Sequence, residues 1–258
     1  MELVQDYTSD DDEKEDPTVG QVEGFDEQSR RANDHQGRLR SFSHQEGNYA
    51  THVYVSVSIP SNMTAILHTV LAALKRREPL LQPLEASAAL PREESLVQPS
   101  YHVSLSRVVP IRYHEIEPLL LSLKEYLTPT KRTDLSFGDL EVFENDDHTR
   151  TFLALGIAKG RNEVCKVIRR VDKAFRDHGL RLFHSQPRPH ASMLWMLGST
   201  RGSLEAMLHE EVSVSKQAWE ELKMWTFPLE TISCKIGQRV TTVWHNRLLE
   251  PRNHAQLS

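Results

Sequence analysis

Two short segments, YHVSL (residues 101–105) and PHASM (residues 189–193), share a His-x-Ser pattern and lie 88 positions apart in the 258-residue chain. Each segment continues into apolar and β-branched residues, which predicts a β-strand around it. Residues two apart in a strand point to the same face. Each histidine therefore shares a face with its serine, and two equivalent strands would bring two imidazoles and two hydroxyls to one cleft.

The side chains of His102, Ser104, His190 and Ser192 suit phosphodiester chemistry on RNA. Two imidazoles with pKa values near neutrality can act as base and acid in one turnover. Two hydroxyls can donate hydrogen bonds to the non-bridging phosphate oxygens. One histidine would take the proton of the 2′-hydroxyl that attacks phosphorus, and the other would protonate the leaving 5′-oxygen. The product is a 2′,3′-cyclic phosphate, and we expect no metal or other cofactor.

One His-x-Ser match alone carries little information, because the chain has 13 histidines. Two matches on equivalent apolar strands are a stronger signal. The alternative is that both motifs are polar faces of edge strands turned to solvent. Zinc binding is not favoured, because His184 and His190 are six residues apart and neither the spacing nor a cysteine cluster fits a zinc site.

The predicted order of elements is strand, helix, strand, helix, hairpin, helix, strand, helix, hairpin, which indicates an α+β fold with two lobes of similar plan. The third helix is expected to bury one apolar stripe and to end at Gly179 in a left-handed cap. The predicted strands cover residues 51–59, 100–108, 135–144, 150–157, 190–197, 226–235 and 239–244.

The net charge of −5 is distributed unevenly along the chain. Residues 1–30 hold eleven acids and two bases, a charge of −9, which leaves +4 for the rest. We therefore expect an acidic disordered tail over residues 1–38, a folded domain over 39–245 and a polar end over 246–258. No stretch is apolar enough for a membrane span, and two cysteines without metal or redox spacing favour a reduced, intracellular protein.

At the two His-x-Ser motifs the sequence resembles the two-histidine (2H) phosphoesterases. Within them it most closely resembles the U6 small nuclear RNA phosphodiesterase family. The resemblance runs from about Arg40 to Trp244. It includes the segment GNYATHVY (residues 47–54), with Tyr49 where the family usually has Trp, and TRTF (residues 149–152). It also includes both His-x-Ser motifs.

The resemblance implies a two-lobed fold whose pseudo-symmetric lobes have antiparallel sheets lining a central cleft and helices outside. It implies a nuclear 3′→5′ exoribonuclease that trims the uridine-rich end of U6 RNA and leaves a 2′,3′-cyclic phosphate or a 3′-phosphate. It further implies His190 as the base, His102 as the acid, and Ser104 and Ser192 as phosphate ligands. His184 stands where the family has a tyrosine that stacks on the terminal base, so we expect it to bind substrate.

Two other functions remain open from the residues alone. One is a 2′,3′-cyclic nucleotide phosphodiesterase acting on small nucleotides or tRNA-derived ends with a water nucleophile. The other is a non-catalytic RNA-binding subunit, which two intact motifs disfavour. In the main hypothesis the partner is an RNA 3′ end, with no membrane and no metal, and a monomer suffices because both lobes belong to one chain.

Overall fold

The computed structural model of the chain describes residues 46–84, 100–210 and 216–246. The expected acidic tail over residues 1–38 lies outside the described residues, as does the polar end except for Asn246. Both therefore stay predictions. No helix among the described residues is long and apolar enough to cross a membrane.

The described residues form ten strands and five α-helices. The strands are β1 (Asn48–Ser58), β2 (Gln82–Pro83), β3 (Ser100–Ser104), β4 (Val109–Arg112), β5 (Asp134–Glu144), β6 (Arg150–Ile157), β7 (His190–Leu197), β8 (Thr226–Pro228), β9 (Thr231–Ile236) and β10 (Arg239–His245). The helices are α1 (Ser61–Arg77), α2 (Ile116–Leu127), α3 (Arg161–Asp177), α4 (Arg201–Glu210) and α5 (Lys216–Met224).

The sheet has the order β10-β9-β1-β3-β7-β6-β5-β8, with β4 paired to β1 and β2 paired to β7. All of these pairings are antiparallel. The two motif strands β3 and β7 are the central pair, and each forms the inner edge of a four-stranded half. The predicted α+β fold with two similar lobes is confirmed. The alternative that the motifs lie on edge strands is wrong.

Strands β3 and β7 are joined through one register pair, Val103 opposite Ala191, the middle residues of the two motifs. Both side chains are fully buried. The flanking His102 and Ser104, like their counterparts on β7, are only half-buried and point to the other face. The apolar middle residues therefore fix the junction, and the polar residues line the face opposite the core.

The helices supply the apolar layer that covers the buried face. Helix α3 buries a stripe of residues at helical spacing, as its sequence predicts. It ends at Gly179, which has φ of 65°. There the amide of Leu180 donates to the carbonyl of Phe175 at 2.8 Å, and the amide of Gly179 donates to the carbonyl of Arg176 at 3.0 Å. Positive φ favours glycine at this cap, which confirms the predicted helix end. The buried stripe consists of Val164, Val167, Ile168, Val171, Ala174 and Phe175.

The predicted strands differ from the structure in three ways. The strand expected over 100–108 ends at Ser104, because the hydroxyl of Ser106 accepts a hydrogen bond from the amide of Val53 at 2.9 Å and ends the ladder. The strand expected over 226–235 is split into β8 and β9, since β8 pairs with β5 while β9 pairs with β1 at the other side of the sheet. The short strands β2 and β4 lie outside all of the predicted strands.

Candidate active site

The four motif side chains lie on one face at the junction of the two halves. The Val103–Ala191 pair places them there, because residues next to it on both strands point away from the core. The imidazoles of His102 and His190 are close enough that His102 contributes to lowering the pKa of His190. The predicted set of His102, Ser104, His190 and Ser192 is therefore brought together.

The ring of His190 is fixed from two sides. Its Nδ1 lies 2.7 Å from the carbonyl oxygen of Arg188. A carbonyl only accepts hydrogen bonds, so Nδ1 carries the proton and Nε2 of the neutral ring is left with a free lone pair. The ring also stacks on Phe143, with centroids 3.7 Å apart and planes 21° apart. Orientation and tautomer are both set before substrate binds.

A carboxylate lies close to the His190 ring. Glu141 forms an ion pair with Arg188, whose guanidinium carbon lies 4.7 Å from the centroid of Phe143. Gly156, opposite His190 on β6, leaves room for this carboxylate, because an added Cβ would lie 2.3 Å from Oε1 of Glu141. Burial is the largest cause that lowers the pKa of His190. The Arg188 carbonyl and Glu141 raise this pKa, and the positive charges of Arg188 and His102 lower it.

The surroundings of His102 are of another kind. Its ring meets the rings of His52 and Tyr54 edge-on, with centroids 5.4 Å and 5.5 Å away. Within the described residues no protein group forms a hydrogen bond to this ring. Burial lowers the pKa of His102, and the positive charge of Lys235 lowers it further.

His52 is a site residue that the sequence analysis did not single out. It lies on β1, and its Nε2 is 3.1 Å from the Oγ of Ser104. Burial lowers the pKa of His52 to about 3, with further contributions from His102 and Lys235. The available signal was alternation: His52 and Tyr54 alternate with buried Val53, which indicates a second polar face. Sequence could not give the register that sets β1 beside β3.

His184 lies in the segment between α3 and β7 and is exposed. Its Nδ1 is 2.9 Å from Nη2 of Arg107, and Arg107 forms an ion pair with Asp146, which also pairs with Arg181 at 3.0 Å. In the described parts of the chain, no hydrogen bond or ring contact joins His184 to the four motif side chains. The structure thus places His184 beside Arg107, which follows Ser104 by three residues, and near Arg181. Its expected role in substrate binding stays a prediction.

Among the described residues, no group of three or more His, Cys, Asp or Glu side chains is arranged to hold a metal ion.

A family model described as HVSL, an uncharacterised conserved protein, matches residues 21–244. The four letters of its name are those of residues 102–105, the first motif. The chain belongs to the HVSL family. This confirms the family resemblance predicted from the motifs.

Curated relatives of this HVSL protein carry the name U6 snRNA phosphodiesterase 1. The protein from Rattus norvegicus is 28% identical over 206 residues, which cover 80% of this chain and 72% of the relative. The Homo sapiens protein is 27% identical with the same coverage. The Drosophila melanogaster protein is 28% identical over 207 residues, covering 80% of this chain and 73% of the relative.

Solved structures show the same fold. The structure of Kluyveromyces marxianus Usb1 has a TM-score of 0.54 and 19% identity, and the match covers 75% of this chain and 97% of that one. The same protein with uridine monophosphate has a TM-score of 0.52 and 20% identity, with equal coverage. The HVSL chain described here shares the Usb1 fold.

Proposed function

We propose that this HVSL protein is a metal-independent 3′→5′ exoribonuclease that trims the uridine-rich 3′ end of U6 small nuclear RNA. The observation that carries the proposal is the central Val103–Ala191 pair, which sets two His-x-Ser motifs side by side on one face. Relatives named U6 snRNA phosphodiesterase 1 support the substrate. A U6 substrate implies that the protein acts in the nucleus.

His190 is the proposed general base. Its Nε2 takes the proton of the 2′-hydroxyl on the nucleotide before the scissile phosphate. The imidazolium that forms is stabilised by the Arg188 carbonyl on Nδ1 and by the nearby Glu141 carboxylate. The new bond joins the 2′-oxygen to phosphorus.

His102 is the proposed general acid. It must enter the reaction protonated, although burial and Lys235 lower its pKa. A phosphate held between Ser104 and Ser192 brings negative charge next to the ring and so favours the protonated form. The bond from phosphorus to the 5′-oxygen breaks, and that oxygen takes the proton of His102. The shortened RNA ends in a 2′,3′-cyclic phosphate, which water can open to a 3′-phosphate.

The test uses 5′-labelled oligouridine with a 3′-hydroxyl, incubated with the full chain in EDTA. We expect stepwise shortening and a cyclic phosphate or 3′-phosphate at each new end. A 2′-deoxy substitution on the nucleotide before the terminal linkage should block the first cut. A matched RNA with the 2′-deoxy group only on the terminal nucleotide should still be cut there. Two results would contradict the mechanism. One is shortening that requires a divalent metal, and the other is cleavage of the terminal linkage in the RNA whose preceding nucleotide is 2′-deoxy.

A further inference from the structure

His52 contacts Ser104, and the role inferred for this contact rests on the proposed function of the site. Nε2 of His52 lies 3.1 Å from the Oγ of Ser104. Between two such groups the hydrogen bond can run either way: the ring can donate N–H to the hydroxyl, or it can accept the hydroxyl O–H. Only one of these arrangements leaves Ser104 able to bind a phosphate.

The His52 ring is neutral over the physiological range. Burial lowers its pKa to about 3, and the neighbouring His102 and Lys235 act in the same direction. Lys235 is its cross-strand partner on β9, and no carboxylate contributes to its pKa. A neutral imidazole carries one N–H, on either Nδ1 or Nε2.

The chemistry of the ligand selects between the two tautomers. The non-bridging oxygens of a phosphodiester accept hydrogen bonds and cannot donate them. Ser104 must therefore direct its hydroxyl hydrogen into the cleft, and its lone pair is then free to accept from a neighbour. A ring that accepted the Ser104 hydrogen would leave oxygen lone pairs facing the phosphate.

We propose that His52 is a positioning residue that donates from Nε2 to the Oγ of Ser104 and so turns the serine hydroxyl hydrogen toward the scissile phosphate. Tyr54 keeps the His52 ring in place, because the two rings stack with centroids 5.4 Å apart and planes 23° apart. His52 thus acts through Ser104 and does not itself touch the reacting atoms.

The second motif has no equivalent of this device in the described parts of the chain. Ala154, which has no hydrogen-bonding side chain, lies opposite Ser192 on β6 as Tyr54 lies opposite Ser104 on β1. Among the described residues, Ser192 forms no side-chain hydrogen bond. His52 therefore orients Ser104 and has no such effect on Ser192, the other proposed phosphate ligand. A change at His52 should behave as a change at Ser104, and it should leave the contribution of Ser192 unaltered.

The first test measures the tautomer and does not depend on activity. The full chain is labelled with ¹⁵N-histidine, and long-range ¹H–¹⁵N spectra are recorded between pH 5 and 8, with His52→Gln to assign the signal. We expect the Nε2–H tautomer, with no titration over this range. The Nδ1–H tautomer, or titration near pH 6.5, would overturn the proposal even if the wild-type protein cleaves oligouridine.

The second test measures cleavage of oligouridine by wild type, His52→Leu, His52→Gln, Ser104→Ala and the double variant His52→Leu/Ser104→Ala. We expect His52→Leu to lose about 30-fold in kcat with KM changed little, because one oriented hydroxyl is lost. His52→Gln, whose amide can donate from a similar position, should recover most of that loss. The double variant should match Ser104→Ala, since both changes remove the same interaction.

The matched control is His178, which directly follows α3 and whose Nε2 lies 2.9 Å from the Oγ of Ser122 on α2. His178→Leu breaks a histidine–serine contact of the same kind and should retain wild-type kcat. Losses that add in the double variant, or a His52→Leu protein with normal kcat, would overturn the proposal. A wild-type protein that does not cut RNA would instead contradict the proposed function, and the tautomer measurement would still decide the role of His52.

Discussion

The two His-x-Ser motifs have the same pattern and are paired with each other, but their histidines are surrounded differently. His190 donates from Nδ1 to the Arg188 carbonyl and stacks on Phe143, with Glu141 nearby. In the described residues His102 has no hydrogen bond from the protein, and the charge that acts on it is the cation of Lys235. The strands are equivalent, and the side chains around them are not.

This difference gives each histidine a different role. A general base must become an imidazolium during the reaction. The carbonyl and carboxylate around His190 stabilise that form and oppose the positive charges of Arg188 and His102. A general acid must lose its proton easily to the leaving oxygen, and the cation near His102 favours that loss. The pseudo-symmetric strands therefore place two imidazoles at one phosphate. The groups around each imidazole determine which one acts as the base and which one acts as the acid.

The largest expected effect comes from removing either histidine. His102→Ala and His190→Ala should each lower the rate on oligouridine by about 1,000-fold, because each removes one proton transfer. The two variants should separate on uridine 3′-(p-nitrophenyl phosphate), whose leaving group needs no proton. There His102→Ala should lose less than about 10-fold, whereas His190→Ala should lose as much as on RNA. Initial rates of p-nitrophenolate release give the measurement.

The control for this comparison is His114→Ala, a histidine in the turn before α2 and outside the site, which should act as wild type on both substrates. If the activated substrate restores His190→Ala and leaves His102→Ala inactive, the assigned roles are reversed. Equal losses on both substrates in both variants would mean that the two surroundings do not divide the roles.

The two motif serines are expected to have the same role in both halves of the sheet. Ser104→Ala and Ser192→Ala should each lower kcat by about 100-fold, because each removes a donor to the phosphate oxygens in the transition state. Steady-state kinetics on oligouridine measure the loss, with Ser56→Ala as the control. Ser56 is exposed and lies opposite His102 on β1. A serine variant with unchanged kcat would remove that residue from the site.

The motif strands and the four motif residues could be predicted from sequence because they depend on local patterns. Alternation places His102 with Ser104 and His190 with Ser192 on one face whatever the neighbouring strands are. Helix α3 was predictable for the same reason, since its apolar stripe repeats at helical spacing.

The residues that contact the motif side chains, His52 and Phe143, could not be predicted, because their positions depend on pairing between distant strands. His52 reaches Ser104 only because β1 lies beside β3 in a particular register. Phe143 reaches His190 although 46 residues separate them in the chain. The split of the last predicted strand has the same origin, since β8 and β9 join opposite sides of one sheet.

A smaller effect is expected from the ring that stacks on His190. Phe143→Leu should lower kcat by about 10-fold, because an aromatic stack is worth about 0.5–1.5 kcal/mol and its loss frees the base to rotate. The control is Phe152→Leu, since Phe152 is half-buried and lies opposite Phe143 on β6. Kinetics on oligouridine distinguish the two. If both variants lost the same amount of kcat, the loss would reflect a general effect on packing. Phe143 would then not specifically hold the His190 ring.

The smallest effect on rate, and the sharpest on pH dependence, is expected from Glu141. Its carboxylate opposes the burial that lowers the pKa of His190, so Glu141→Gln should lower that pKa further. The base then stays unprotonated to lower pH, and the acid limb of kcat/KM should move to lower pH. The maximal rate should fall about threefold, because the imidazolium loses a partly exposed negative partner.

The control is Glu144→Gln on the same strand, since Glu144 binds His148 and Ser199 and its loss should not move the profile. An acid limb that stays in place or moves to higher pH would assign that limb to a group other than His190.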